Sequence, residues 1–155
     1  MIEQDRSPCA GCSRLGGRRD FLRGFAGLAV MLMAGRPRPL TTEVEYPVPA
    51  GNGAIVDRLN EVIVVRYRDE CFAFALSCPH QNTALKWHPG DNRFQCPKHK
   101  SKYAPDGAFL SGRATRNMDR LPIRRAGSRL LVDADRVYES DKDAVGWTGA
   151  VVKLA

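Results

Sequence analysis

Four side chains at the two ends of one short segment constrain this chain more than anything else in it. Cys78-Pro79-His80 is followed, after fifteen residues, by Cys96-Pro97-Lys98-His99. Each end supplies one cysteine and one histidine, as C-x-H and C-x-x-H. Two thiolates and two imidazoles make a complete ligand set for iron or zinc. A fold that brings these groups together must hold two loops face to face, on elements rigid enough to fix them.

The order of the ligands separates the options. Zinc fingers pair cysteine with cysteine and histidine with histidine along the chain. Here each loop carries one of each. That suits a two-iron cluster in which one iron takes both sulfurs and the other both imidazoles; a Cys2His2 zinc site is the alternative. The two-part motif resembles the Rieske family, whose [2Fe-2S] centre has two histidines in place of two cysteines on one iron. The resemblance covers roughly residues 42–134.

It implies one [2Fe-2S] cluster, with Cys78, His80, Cys96 and His99 as its ligands. It also implies an all-β fold, a Rieske-type antiparallel β-sandwich with a small inserted cluster-binding subdomain. Ser101 and Tyr103 match the positions that raise the potential of members in quinol-oxidising complexes. Ser101 would donate to a bridging sulfide and Tyr103 to a ligand cysteine sulfur. Lys98 adds positive charge in the same direction, with Lys100 and Lys102. The ring nitrogens left free on the histidines imply reduction coupled to proton uptake. One departure is clear. High-potential members join the two loops by a disulfide, and its partners would fall at Thr83 and Lys98, neither of which is cysteine. In this the chain resembles the oxygenase ferredoxins. Pro79 and Pro97 stiffen the loops by fixing φ.

The surrounding pattern is one of short strands with Gly and Pro turns, which reads as all-β. Residues 42–49 form an entering strand. Residues 61–68 and 71–76 make a hairpin around Arg68-Asp69-Glu70, with Phe72, Phe74 and Leu76 on one face of the second strand. That hairpin delivers the first ligand loop. Residues 84–87 and 93–95 flank the turn Pro89-Gly90-Asp91-Asn92, beside which His88 reads as a surface turn residue. Residues 108–110 continue the sheet, and residues 121–124 and 129–132 make a last hairpin. Cys71 lies on the small-residue face of its strand and reads as a buried thiol without chemistry. Two of the five cysteines serve as ligands, so no disulfide framework is implied. Residues 135–155 form a C-terminal tail that either packs back or meets a partner.

Residues 1–41 are a leader of different character. Gly17-Arg18-Arg19-Asp20-Phe21-Leu22-Arg23 resembles the twin-arginine export signal. The twelve apolar residues 24–35 that follow are too few for a bilayer crossing, which needs about 20. They suit the middle of a signal peptide. The usual small-x-small cleavage site is not clear near Met33-Ala34-Gly35, so two outcomes stand open: the leader is cleaved, or it stays on as a membrane tether. Cys9-Ala10-Gly11-Cys12 reads as part of a reduced cytoplasmic tail, with a metal or assembly role as the alternative.

The net charge is +7, and residues 93–129 hold ten Lys or Arg against Asp106 and Asp119. No helical recognition element or aromatic stacking platform accompanies them, so nucleic acid is not the expected partner. A solvated face, or a docking face for an acidic redox partner, fits better. The expected function is one-electron transfer, as a subunit or partner of an exported or membrane-bound respiratory oxidoreductase rather than as a stand-alone catalyst. Its partners would be redox proteins such as a cytochrome or a membrane quinol-oxidising subunit. Its site would be the bacterial periplasm or the outer face of the inner membrane. The alternative is a Rieske-type ferredoxin feeding an oxygenase-like enzyme.

Overall fold

Strands β3 (Val62–Tyr67) and β4 (Glu70–Ala75) pair antiparallel, with Val62 opposite Ala75 and Tyr67 opposite Glu70. Their hairpin is the centre of the computed structural model, which describes residues 42–154. The leader, with Cys9, Cys12 and the arginine pair, lies outside the described residues.

Four consecutive residues of β3, Val62 to Val65, are fully buried. An unbroken apolar run of this kind is what a strand needs when both its faces are covered. Side chains alternate across a strand, so the hairpin supports two cores. Ile63, Val65, Phe72 and Phe74 face one of them, together with Leu85, Phe94 and Tyr103. Val62, Val64, Cys71 and Ala73 face the other, together with Tyr46, Leu130 and Val132. The large residues point one way and the small ones the other.

The second core is closed by a three-stranded antiparallel sheet of β1 (Glu43–Pro47), β10 (Arg129–Asp133) and β9 (Ile123–Ala126), in that order. The first core is closed by four short antiparallel strands in sequence order: β5 (Lys86–His88), β6 (Arg93–Gln95), β7 (Lys102–Tyr103) and β8 (Phe109–Ser111). In the chain this sheet is inserted between β4 and β9, and it carries the ligand loops. The all-β, antiparallel reading with an inserted subdomain describes the molecule.

Two parts of the central sheet were not legible in the sequence. Strand β2 (Gly53–Asp57) pairs with β3 but has only three apolar residues, half-buried at most. The C-terminal segment packs back. Its last strand β11 (Val152–Lys153) pairs with β4, preceded by a one-and-a-half-turn helix α1 (Ala144–Gly149).

Arg120 is the residue that ties this segment down. It is 5% exposed, and its guanidinium lies 3.7 Å from the Trp147 ring centroid and 4.7 Å from that of Phe72. Its nitrogens donate to the carbonyls of Trp147 and Asp106, both at 2.8 Å. Trp147 in turn donates from Nε1 to the Met118 carbonyl at 2.8 Å. Burial pulls the guanidinium pKa down to about 10, which leaves it charged at neutral pH. The basic run is therefore not one surface. Arg116 is paired with Asp119 and Glu139, Arg124 with Glu43 and Arg93 with Asp91.

The turn that Arg120 holds contains Gly107, at φ +86°. A Cβ there would overlap the Phe74 ring, which the core does not let move. Gly107→Ala should cost about 2–4 kcal/mol, combining a strained φ with overpacking. The measurement is the shift in urea midpoint; an unchanged midpoint would mean that Phe74 is free to yield.

Candidate metal centre

The two ligand loops are built on one plan. The Cys78 amide donates to the Thr83 carbonyl at 2.9 Å, and the Cys96 amide to the Ser101 carbonyl at 2.8 Å. Returning bonds close each ring: Asn82 N to Cys78 O at 2.9 Å, and Lys100 N to Cys96 O at 3.0 Å. The fifth residue of each loop turns into the left-handed region, with φ +47° at Asn82 and +59° at Lys100. Each cysteine is thus pinned at both its amide and its carbonyl, and the proline after it fixes the next φ. The loops differ in where the histidine falls, second residue after Cys96-Pro97 being His99 but first after Cys78-Pro79 being His80.

Rigid elements hold both ends. The first loop leaves β4 through Leu76, whose amide and carbonyl bond to Glu61 and Leu85. The second loop joins β6 to β7 within the inserted sheet.

Sulfur and nitrogen are separated by depth. Cys78 and Cys96 are buried in the first core beside Leu85, Phe94 and Tyr103. His80 and His99 are half-exposed. Their Nδ1 atoms face each other at 3.1 Å, with ring centroids 4.6 Å apart and planes nearly perpendicular at 83°. Two imidazole lone pairs directed at a shared region suit one metal, and two buried thiols suit another, so the donor set fits a two-iron centre. Among the described residues, no three His, Cys, Asp or Glu side chains gather about a single point.

Tyr103 Oη lies 3.3 Å from Cys78 Sγ, and both are buried. Burial, then the neighbouring Cys78, push the tyrosine hydroxyl far above its usual value, while Ser101 pulls the other way. A phenol that does not ionise remains a hydrogen-bond donor. Burial likewise raises the Cys78 thiol, opposed by the Tyr103 hydroxyl. Ser101 Oγ, fully buried, accepts from the amides of Arg113 and Ala114 at 3.1 and 3.0 Å. Both lone pairs are thereby used, so its proton is left to donate elsewhere. The His99 imidazole is held below its usual value by desolvation, then by the charges of His80, Lys98 and Arg113.

The segment 112–114 was not singled out in the sequence. Gly112 sits at φ +114° directly on the Ser101 backbone, with no room for a side chain. An isolated glycine after a short apolar strand was its only signal. Lys98 is exposed, and the Thr83 carbonyl closes the first ring. A backbone bond therefore stands at Thr83, one of the two positions from which the resemblance implies a brace, while Lys98 points to solvent. His88 ends β5, half-buried, outside both loops. Cys71 lies in the second core, on the far face of β4, its thiol raised by burial.

The family model of the Rieske [2Fe-2S] domain matches residues 44–123. The chain is 47% identical over 38 residues to the cytochrome b6-f complex iron-sulfur subunit 3 of Nostoc sp., covering 24% of this chain and 21% of that one. It is 30% identical over 95 residues to the cytochrome b6-f complex iron-sulfur subunit of Chlorobaculum thiosulfatiphilum, covering 60% and 52%. The chain thus spans between about a fifth and about a half of the length of these curated relatives. Among solved structures, the cyanobacterial plasma membrane Rieske protein PetC3 from Synechocystis PCC 6803 is similar at 25% identity. It covers 51% of this chain and 82% of its own, with a TM-score of 0.44.

Lys100 carries a side chain where glycine would be unstrained. Lys100→Gly should stabilise the folded chain by about 0.5–1 kcal/mol, because an L-residue at positive φ costs that order of energy even after the entropy of glycine is subtracted. The thermal midpoint by circular dichroism is the readout, and a fall in midpoint would show that the lysine makes a compensating contact.

Proposed function

Because the chain belongs to the Rieske [2Fe-2S] family, we propose that it carries single electrons, holding its cluster through Cys78, Cys96, His80 and His99. When bound, the cluster supplies a one-electron couple well above that of an all-cysteine cluster, since neutral imidazoles replace thiolates. The observation that carries this reading is the division of the four ligands. Two thiols lie inside the protein and two imidazole nitrogens face each other near its surface.

The chain's own residues do the rest. The two backbone rings keep both sulfurs in place, and the core of Leu85, Phe94 and Tyr103 keeps water from them. Tyr103 donates toward Cys78, and Ser101 has its proton free for an acceptor at the sulfur end. Hydrogen bonds to sulfur favour the more negative, reduced state, so both act to raise the potential. Lys98 acts in the same sense through its charge. The half-exposed histidines are the route by which a partner exchanges the electron.

The partner proposed is a respiratory oxidoreductase at the outer face of a bacterial inner membrane. Two features support it: the arginine pair of residues 18–19 with its apolar sequel, and the likeness to subunits of cytochrome b6-f complexes. Thr83 and Lys98 favour a second reading, a ferredoxin serving an oxygenase-like enzyme, because no inter-loop disulfide can form there. Cell fractionation separates the two. Loaded protein recovered in the cytosol after ordinary expression supports the second and removes the first.

A redox titration followed by electron paramagnetic resonance tests the carrier role itself. Ser101→Ala and Tyr103→Phe should each keep the cluster and lower its potential by roughly 40–60 mV, the one-electron equivalent of about 1–1.5 kcal/mol of hydrogen bonding. Unchanged potentials in both variants would refute the assigned roles. A preparation without iron and acid-labile sulfide would refute the reading entirely.

A further inference from the structure

The outer end of the site carries three cations that the fold does not use. Lys98, Lys100 and Arg113 are exposed. None of them enters an ion pair among the described residues. Lys98 and Lys100 flank His99 in the second loop. The Arg113 backbone is bonded to Ser101 of that same loop, and the charges of Lys98 and Arg113 reach the His99 ring. The two acidic residues of the surrounding run are engaged elsewhere: Asp106 caps the Ala108 amide, and Asp119 is held by Arg116.

Lys100 is the telling member. It occupies a left-handed position, φ +59°, where a side chain costs of order 1 kcal/mol. It forms no ion pair or side-chain hydrogen bond among the described residues in return. Other basic side chains of the run, Arg93, Arg116, Arg120 and Arg124, are all spent inside the fold. Arg125 and Arg129 also face solvent, but on the β9–β10 hairpin, so at the histidine end the exposed cations outside any ion pair are Lys98, Lys100 and Arg113.

We propose that Lys98, Lys100 and Arg113 form the docking surface through which this chain exchanges electrons, and that the partner is an acidic electron-transfer protein with carboxylates around its own redox centre. This rests on the electron-carrier reading. Like charges around a small exposed centre attract an oppositely charged partner over a Debye length and raise the encounter rate without requiring a large buried area. The cations surround the half-exposed histidines through which the electron passes, and a lipid surface has no redox centre to receive it. A protein partner is therefore favoured over an anionic lipid surface.

The test uses the full chain with its cluster, reduced and then oxidised by small reagents of opposite charge. The rate with ferricyanide should fall by about tenfold between about 0.01 M and about 0.1 M salt, as the Debye length shrinks from about 30 Å to about 10 Å. The rate with the tris(phenanthroline)cobalt(III) cation should rise over the same range. Opposite signs exclude a change in driving force, which would move both rates together. In the triple variant K98Q/K100Q/R113Q both slopes should fall by half or more. The triple variant R58Q/R129Q/K153Q, which removes the same net charge from β10, β11 and the turn after β2, should keep them. Equal flattening in the two variants would overturn the proposal.

The class of partner is read by binding. Poly-glutamate should bind the loaded wild type and the R58Q/R129Q/K153Q variant, and bind the K98Q/K100Q/R113Q variant at least about tenfold more weakly. Tip-dependent binding to phosphatidylglycerol vesicles without poly-glutamate binding would overturn the choice of a protein. An intact paramagnetic signal with charge-blind kinetics removes the docking surface alone. Loss of the signal in every preparation removes the carrier reading and the surface with it.

Discussion

Everything at the metal centre depends on two rings of backbone hydrogen bonds. Each ring ties the amide and carbonyl of one cysteine to residues four and five positions on, and so fixes where its sulfur points before any ligand is bound. Five or six residues cannot do this alone, because closing a short loop costs more conformational entropy than two hydrogen bonds return. The deficit is met by packing. The first loop springs from β4, whose neighbour β3 is buried on both faces, and the second loop lies between strands whose Phe94 and Tyr103 fill the same core. The order of the site is borrowed from the hairpin beneath it.

This explains which parts of the molecule were legible in the sequence. Ligand spacing is local, and so is the contrast within β4 between Phe72 and Phe74 on one side and Cys71 and Ala73 on the other. Both could be read directly. The continuous run Val62 to Val65 marked a strand but did not say that a sheet covers each face, because that depends on partners far along the chain. Strand β2 was missed since an edge strand needs few apolar residues. The terminal strand β11, two residues long, exists only because β4 offers it an edge.

Charge was the harder quantity to read. Ten basic residues in one stretch suggested a single face, yet their fates divide by what the fold places beside each. Arg120 became a buried strut, stacked on Trp147 and bonded to two carbonyls, a role that guanidinium performs and ammonium does not. Arg116 and Arg124 found carboxylates on segments distant in sequence. Only the structure separates these from the cations that remain at the histidine end.

The absence of a covalent brace between the loops has a definite energetic meaning. A disulfide acts largely on the unfolded chain, by removing conformations that it would otherwise sample. The contacts that stand in its stead here act only on the folded one: the two rings, the seat of Gly112 on the Ser101 backbone, and the amides of Arg113 and Ala114 on the Ser101 hydroxyl. They vanish together when the inserted sheet leaves the central hairpin. The site and the domain are therefore one cooperative unit, and the loops can be no more ordered than the β3–β4 core that carries them.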